Sequence, residues 1–363
     1  MGIRSVNNPN ASFRDRFIKT GLDAVNPYIP PKGVASGGNN TYTYTYNSVD
    51  YKIHKFTADG TFTIAVQPMI CDIFVVGGGG SGGGGNNSNH GAGGGAGGVL
   101  WRPTKTLGIG SYNITVGAVA SWSNSGTEGT KGNNSVFTGN SYTLTGLGGG
   151  GGSGTGNSTQ NNANMAGGSG GGAGRDSGTR AGGVANQNNS EDGGATAYAS
   201  NGGIATGTGC TSAGGGGGAG QTGHNGCYDC QTARAGTCSQ GGHGVKQLAG
   251  MSEAETKQFF WECRAGTDAI GTSGGTPCTS LGSIPSEIYI AGGGGGAYEH
   301  SSLGMMADGG SGGGGRGGSR YGPINGTHAS ANTGGGGGAG QKYASGGDGG
   351  NGGSGLVLVR YIV

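Results

Sequence analysis

The cysteines are the residues whose spacing most directly suggests chemistry. Cys227 and Cys230 form a CxxC pair, a spacing at which thiolates bind zinc, and His224, Cys238 and His243 are close in sequence. A second CxxC pair and a paired HxxxH are absent, so the sequence favours disulfides formed in an oxidising environment over zinc or free thiols. Their connectivity stays open. The candidate disulfide cysteines are Cys210, Cys227, Cys230, Cys238, Cys263 and Cys278.

No set of residues suggests catalysis. The glycine runs contain GxGxxG matches, but these follow from composition because no strand-turn-helix unit with a downstream acid surrounds them. The six histidines are scattered, no GxSxG elbow is present, and the carboxylates are too sparse for an acid-base pair. We therefore expect no enzyme activity, no cofactor and no metal.

Glycine dominates the composition, with 97 of 363 residues, and nearly all of it follows Val76. Its frequency there approaches that of collagen, but no Gly-X-Y register holds. Charged residues make up only 10% of the chain and the net charge is +2, which argues against nucleic acid as a partner. No apolar run is long enough to span a membrane, and the N-terminus lacks the apolar core of a signal peptide.

The first part of the chain predicts an N-terminal anchor or linker over residues 1–40 and an antiparallel β base over residues 41–76. Ser12 can cap a short helix with Phe13, Phe17 and Ile18 on one face, and the prolines of NPYIPPKG then favour an extended exit. Strict alternation of polar and apolar residues predicts strands over 41–46, 51–56 and 61–66, with Asp59-Gly60 as a turn. The run 72–76 is apolar on both faces, which is typical of a central strand, and Cys71 is expected to be a small buried residue of it.

The rest of the chain, residues 77–363, predicts a glycine-rich scaffold with further base strands at 111–147 and 355–363. Ten glycine-dominated runs alternate with connectors rich in Asn, Ser, Thr and Asp. Rods of polyproline II type make no internal hydrogen bonds, so their backbone groups can bond neighbours on several sides. The alternative is a flexible linker, which glycine-serine sequences usually form. The strands fused to both ends of the region favour the ordered scaffold.

If successive runs alternate in direction, an even number of them returns the closing strand LVLVRYIV to the opening strand DIFVV. On that scheme the loops that share the end far from the base are 86–90, 155–166, 204–213, 298–308 and 341–345. The segments that share the end near the base are 99–147, 175–192, 221–290 and 319–333.

The insertion 221–290 is rich in cysteine and contains the one predicted helix of the glycine-rich part. In SEAETKQFFWEC, Ser252 and Glu255 have the spacing of a capping box, which predicts a helix over 253–263. Phe259, Phe260 and Trp261 are expected to anchor this helix to the base or to a partner.

Several of these motifs together resemble the glycine-rich domain of tail-fibre and adhesin proteins of tailed bacteriophages, in which polyglycine II helices pack into a sandwich. The similarity rests on the junction DIFVVGGGG, the segment GSYNITVGA with NNSVF downstream, the repeated GGGGGAG at 214–220 and 334–340, and the closing GGSGLVLVRY. It covers residues 51–363. The Cys-rich insertion and residues 1–50 depart from the family pattern.

The resemblance implies a mainly β and polyglycine II fold in a viral structural protein outside the capsid, a tail-fibre or adhesin subunit. Residues 1–50 would join other tail proteins, the chain would form a homo-oligomer such as a trimer, and loops at the far end would bind a glycan or an outer-membrane protein of the host. The alternative is an architectural protein of a virion-surface or extracellular filament. The candidate receptor-binding residues are Asn86, Asn87, His90, Tyr298, Glu299, His300, Met305, Met306, Lys342 and Tyr343.

Overall fold

A computed structural model describes residues 34–86, 89–154, 162–175, 179–188, 192–206, 212–227, 238–263, 265, 267–268, 284–298, 306–343 and 345–363. Within these residues the chain is mainly β. The helix predicted from Ser12 lies outside them, as do Cys210, Cys230 and Cys278. The strands are β1 (Ala35–Ser36), β2 (Asn40–Tyr46), β3 (Val49–Phe56), β4 (Gly60–Ile64), β5 (Met69–Val76), β6 (Val99–Leu107), β7 (Gly110–Thr115), β8 (Ser135–Gly139), β9 (Tyr142–Gly146), β10 (Thr196–Tyr198), β11 (Thr267–Asp268), β12 (Ile288–Tyr289) and β13 (Leu356–Ile362); the helices are α1 (Asn162–Met165) and α2 (Glu253–Glu262).

Two antiparallel sheets form the part of the molecule that we call the base. One has the strand order β1-β4-β7-β8-β9, and the other has the order β10-β6-β5-β13-β3-β2. The predicted strands over 41–46, 51–56, 61–66 and 72–76 correspond to β2, β3, β4 and β5. Alternation of polar and apolar residues therefore located β2, β3 and β4, and the run that is apolar on both faces located β5.

The closing strand β13 lies in the middle of the six-stranded sheet. It pairs with β5 from Leu356 opposite Val76 to Arg360 opposite Asp72, and with β3 on its other edge. The predicted pairing of LVLVRYIV with DIFVV is confirmed. The base is thus completed by residues from both sides of the glycine-rich part.

Strand β6 is an element that the sequence did not reveal. It contains Pro103, which normally argues against an interior strand because proline donates no backbone hydrogen bond. The ladder between β5 and β6 is irregular between Cys71 and Ile73, and Thr104 beside the proline has a positive φ of 51°. The backbone N–H of Thr104 donates to Asp72 Oδ1 at 2.8 Å, so a β-bulge accommodates the proline.

The base has two side-chain cores, one on each face of the six-stranded sheet. Between the two sheets, the first core includes Phe62, Ile73, Phe137 and Leu144, together with Cys71, whose predicted burial is confirmed. Burial raises the pKa of the Cys71 thiol to about 12, so it is protonated at neutral pH.

Helix α2 covers the other face of the six-stranded sheet. The side chain of Ser252 accepts from the N–H of Glu255 at 3.1 Å, which confirms the predicted N-terminal cap. Phe259 and Phe260 are fully buried, with ring centroids 6.2 and 5.4 Å from that of Phe74. The prediction that these aromatics anchor the helix to the base is confirmed.

The glycine-rich segments bond to one another through their backbones with a repeat of three residues. Along residues 77–85, the N–H donors turn in succession to three different neighbours at 2.8–3.0 Å. Gly77, Gly80 and Gly83 donate to segment 91–98; Gly78, Ser81 and Gly84 donate to segment 127–133; Gly79, Gly82 and Gly85 donate to segment 347–353. A β-strand alternates between two sides instead, so this arrangement is not that of a sheet.

Hydrogen bonds also run continuously across the segments. Gly216 N–H donates to Gly294 at 2.8 Å, Gly294 to Gly94 at 2.8 Å, Gly94 to Gly337 at 2.9 Å and Gly337 to Gly80 at 2.9 Å. A Cβ built on Gly294 would collide with the carbonyl group of Gly337. The segments therefore approach one another more closely than any side chain would allow.

The hydrogen-bond partners fix the direction of each segment. We call the ends of the segments nearest the sheets the base end and the opposite ends the distal end. The segments lead away from the base over 77–85, 117–123, 148–154, 167–174, 199–206, 221–227, 291–298, 314–319 and 334–341, and back over 91–98, 127–133, 180–187, 212–220, 238–245, 306–311, 323–330 and 346–355.

The simple alternation of ten runs is therefore wrong in detail. Segments 148–154 and 167–174 both lead away from the base, and the connectors 117–133 and 221–245 each contribute an outward and a returning segment instead of staying at the base end. The run 309–318 reverses within itself, because Gly312 and Gly313 adopt φ values of +104° and +99° that glycine alone reaches without strain. This last reversal moves residues 320–322 to the distal end.

Candidate functional site

The distal end carries a cluster of exposed aromatic rings around one guanidinium group. The Arg320 guanidinium carbon lies 5.3 Å from the ring centroid of Tyr321 and 5.5 Å from that of Tyr343. These distances are within the range of cation–π interaction. The two tyrosines are 53% and 50% exposed, so both rings present surface to solvent. We call Arg320, Tyr321 and Tyr343 the distal aromatic cluster.

Backbone hydrogen bonds hold the two loops of this cluster together. The N–H of Gly318 donates to Ala339 at 2.7 Å, and the N–H of Gln341 donates to Ile324 at 2.8 Å. The side chain of Gln341 is fully buried and its Nε2 donates to the carbonyl of Tyr298 at 3.0 Å. The rings are therefore presented by short loops on a backbone-bonded support.

The loop at Asn86 adjoins the loop of Tyr343. Ser125 Oγ lies 2.8 Å from the carbonyl oxygens of both Gly85 and Ser345, and so connects three distal turns. Gly346 has a φ of +83°, and a Cβ there would meet Gly85 and Asn86. Close packing of these turns brings Asn86 and Tyr343 to the same surface.

The side chains of this surface offer groups suited to non-covalent binding. An exposed tyrosine offers an apolar ring face and a polar hydroxyl, and a guanidinium offers a planar set of donors to carboxylate, phosphate or hydroxyl oxygens. Tyrosine and arginine are also the residues most enriched where binding energy concentrates in interfaces. The combination suits a sugar ring or an extended polar loop of another protein.

The structure separates the predicted receptor-binding residues into three groups. Asn86, Met306 and Lys342 are half-buried, and Tyr343 is exposed in the distal aromatic cluster. His90 and Tyr298 are at the distal end but are buried, so the exposure predicted for these two is wrong. Tyr298 packs with Cys238 and Ala307, and the carbonyl of His90 accepts from the N–H of Arg175 at 3.2 Å. Asn87, Glu299, His300 and Met305 lie outside the described residues.

Arg320 and Tyr321 were missed because the segment 319–333 was assigned to the base end. The length of the run 309–318 does not reveal its reversal, because the run 346–355 has the same number of residues and forms a single segment. The sequence therefore contains no mark of the reversal at Gly312.

The cysteines form one disulfide among the described residues, between Cys227 and Cys238. It joins an outward and a returning segment near the distal end, so the predicted disulfide chemistry holds for this pair. Cys263 is instead a buried thiol whose Sγ donates to the carbonyl of Phe259 at 3.0 Å, and its assignment to a disulfide is wrong. Within the described residues, no group of three or more His, Cys, Asp or Glu side chains is arranged to hold a metal ion.

The most strongly perturbed charges lie in the base and have structural roles. The Arg360 guanidinium contacts Asp72 Oδ2 at 2.7 Å, the Tyr44 hydroxyl at 2.9 Å and Glu255 Oε1 at 3.3 Å. Burial alone would lower the pKa of Arg360, but Asp72 and Tyr44 outweigh it and raise the pKa. Because Glu255 belongs to α2, this network fastens the helix to the sheet.

A second network fastens β6 to the segment before β10. Asp192 accepts from Arg102 Nε at 2.5 Å and from the Tyr142 hydroxyl at 2.8 Å, and Lys105 lies 3.7 Å away. Burial would raise the pKa of Asp192, but hydrogen bonds from the Gly194 N–H, Arg102 and Tyr142 lower it to about 2. This carboxylate remains charged throughout the neutral range.

The described residues form a mainly β chain whose glycine-rich segments bond to one another through their backbones. A family model described as a glycine-rich domain matches residues 57–362, and the chain belongs to that family. No curated protein matches the chain. None of the helices in the described part of the chain has the length and apolar character needed to cross a membrane.

Proposed function

We propose that this protein is a tail-fibre or adhesin subunit of a tailed bacteriophage, which displays receptor-binding loops on a polyglycine II scaffold. The observation that carries the proposal is the distal aromatic cluster. Arg320, Tyr321 and Tyr343 are grouped at the distal end of a backbone-bonded support. A binding surface in this position is free to reach a cell while the base faces the particle.

The three-residue repeat of hydrogen bonds supports polyglycine II as the conformation of the glycine-rich segments. A helix with three residues per turn directs successive N–H groups to three sides, as residues 77–85 do. Packed helices of this kind form a sandwich whose core is backbone. Amide hydrogen exchange tests this: residues 77–85 and 212–220 are expected to exchange as slowly as β5, and rapid exchange of both would contradict the sandwich.

The receptor proposed for the distal aromatic cluster is a host surface glycan. The two rings provide faces for the apolar side of a sugar, and Arg320 provides donors to its oxygens. A loop of an outer-membrane protein is the other receptor with matching chemistry. Residues 1–50 are proposed to join other tail proteins, in a homo-oligomer such as a trimer on the outside of the virion.

The receptor role is tested by binding of the fluorescently labelled full-length protein to an array of bacterial surface polysaccharides and to a panel of whole bacterial cells. Tyr321→Ala and Tyr343→Ala together are expected to weaken binding by about tenfold or more, since truncation of an aromatic hot spot costs about 2 kcal/mol. Val184→Ala, at a side chain 54% exposed on another surface, is the control and is expected to leave binding unchanged.

Unchanged binding by the double variant would remove the distal aromatic cluster from the receptor site. The location of the protein is a separate question. Immunogold labelling confined to the tips of phage tails would support the tail-fibre role. Labelling along continuous fibres would contradict it and support the filament role instead.

A further inference from the structure

The end of the base that faces away from the glycine-rich region exposes an apolar surface. The surface lies where β5 begins and where β6 and β13 end. Met69 at the start of β5 pairs with Leu107 at the end of β6. The opposite ends of β5, β6 and β13 join the glycine-rich segments. We call this surface the basal patch. Its members and their exposed fractions are Val34 55%, Val66 49%, Ile70 64%, Ile109 52% and Ile362 66%.

Chain connectivity and strand register place these side chains at the same end of the base, with Ile70 and Ile362 on the six-stranded sheet and Val34, Val66 and Ile109 on the five-stranded sheet. The pairing of Arg360 with Asp72, continued by two residues, sets Ile362 opposite Ile70. The carbonyl of Val34 accepts from the N–H of Ala65, the residue before Val66, at 2.9 Å. Single exposed aliphatic residues are common on proteins, but a group of them marks an interaction surface.

The patch continues an apolar face that α2 covers only in part. Phe74 and Leu358 lie under the helix and are fully buried, whereas Ile70 and Ile362 on the same strands are more than 60% exposed. Between them lies a groove of about 490 Å³, whose walls include Met69, Ile70, Trp101, Met251 and Ile362. The helix therefore stops short of the last apolar layer of the sheet, and the groove has room for another segment.

We propose that residues 12–31 of this same chain occupy the groove and cover the basal patch. The described chain begins at Val34, which is itself a member of the patch, and Gln67 and Pro68 at the groove rim follow Val66 directly. Tyr28 and Ile29 precede Val34 by five or six residues. An extended chain covers about 3.3 Å per residue, so these side chains reach roughly 15–20 Å from Val34.

The composition of residues 12–31 matches the groove. Phe13, Phe17 and Ile18 form the apolar face of the helix that the sequence predicts, and Pro30 and Pro31 carry no backbone N–H that burial would leave unpaired. Charge also matches, since Asp72 and Glu255 line the groove with Arg360 as the one basic residue on its walls. Residues 12–31 carry Arg14, Arg16 and Lys19 against Asp15 and Asp23.

Site-specific photo-cross-linking in the full-length protein tests this arrangement. Ile70 is replaced by the photoreactive residue benzoylphenylalanine, the purified protein is irradiated, and the cross-linked peptides are identified by mass spectrometry. We expect cross-links within one chain to peptides from residues 12–31. The same replacement at Val184, which is similarly exposed, is the control and is expected to give no cross-link to these peptides.

An equal mixture of isotopically light and heavy protein identifies the source of the cross-linked peptide. Light-to-light and heavy-to-heavy products alone support the proposal. Mixed products with residues 12–31, or with the basal patch of a second copy, would overturn it in favour of an interface between subunits. A cross-linking pattern at position 70 equal to that of the control would also overturn it.

A second measurement uses two substitutions in the proposed occupant. Phe17→Glu with Ile29→Glu is expected to uncover the groove and to raise binding of the dye ANS about twofold or more, since ANS binds exposed apolar surface. Thermal denaturation verifies that the variant is folded. Dye binding equal to that of the unmodified chain would contradict the inference, whatever the result of the receptor-binding assay.

Discussion

In the base, Phe74 is buried among the rings of Trp101, Phe259 and Phe260. In the glycine-rich region, the neighbours of Gly294 are the backbones of residues 94, 216 and 337. Both positions are buried. Around Phe74, side chains fill the interior. Around Gly294, the backbones pack so closely that no side chain fits.

This difference teaches that burial in the glycine-rich region depends on hydrogen bonds rather than on apolar side chains. Glycine loses more backbone entropy on folding than any other residue, so its ordering has to be offset by interactions between segments. Each segment donates on several sides, and bonds such as Gly216 to Gly294 extend from segment to segment. The two regions should therefore respond oppositely to changes in side-chain size.

The largest effect is expected from adding a side chain in the middle of the glycine-rich region. Gly294→Val places methyl groups against the Gly337 carbonyl, and relief requires that whole segments separate. We expect the variant to lose cooperative unfolding of the glycine-rich region, measured by calorimetry and hydrogen exchange. Gly193→Val, where a Cβ meets nothing within 4 Å, is the matched control. Normal stability of the Gly294 variant would contradict the backbone core.

The next effect is expected from removing a side chain in the base. Phe74→Ala leaves a cavity between the sheet and α2, and it is expected to lower the free energy of unfolding by about 3–5 kcal/mol in urea denaturation. Phe74→Leu retains most of the volume and is expected to lose less. Equal losses from the two variants would show that the contact with α2 does not depend on packing.

A smaller effect is expected from neutralising one partner of the buried arginine in the base. Asp72→Asn removes the negative charge that contacts Arg360 at 2.7 Å and leaves one acceptor oxygen where there were two, and Glu255 remains within 3.3 Å. We expect a loss of about 1–3 kcal/mol in urea denaturation, because a buried charge loses a charge-assisted hydrogen bond. Asp50→Asn, at an exposed residue of the same sheet, is the control. A loss no larger than that of the control would show that Arg360 does not need Asp72.

The smallest effect concerns acid stability. The folded pKa of Asp192, about 2, is below its ordinary value of 3.8, so its ionised form stabilises the fold. This contribution is fully present above pH 3.8 and is lost as pH falls towards 2. We expect Asp192→Asn to unfold at a lower temperature than the unmodified protein at pH 6, with the difference shrinking near pH 2.5. A difference that stays constant with pH would contradict the assignment.

The strands and α2 were predictable because their signals are local. Alternation along TYTYTY and the run DIFVV each suffice to define a strand, and Ser252 with Glu255 defines the start of the helix. Strand β6 was not predictable, since Pro103 is tolerated only through a bulge whose hydrogen bond comes from Asp72 on another strand. The sequence identified Tyr343 as a distal residue, but it separated Arg320 and Tyr321 from that end.

The sequence by itself determined where side-chain packing ends and where backbone packing begins, because the change at Val76 is a change of composition. An even count of glycine runs also led from the sequence to the pairing of LVLVRYIV with DIFVV, although the directions of several runs were assigned wrongly. Only the tertiary structure decided the direction of each glycine segment and the residues grouped at its end. A glycine run carries no side-chain pattern to mark a reversal, so the turn at Gly312 depends on the neighbours with which each backbone group bonds.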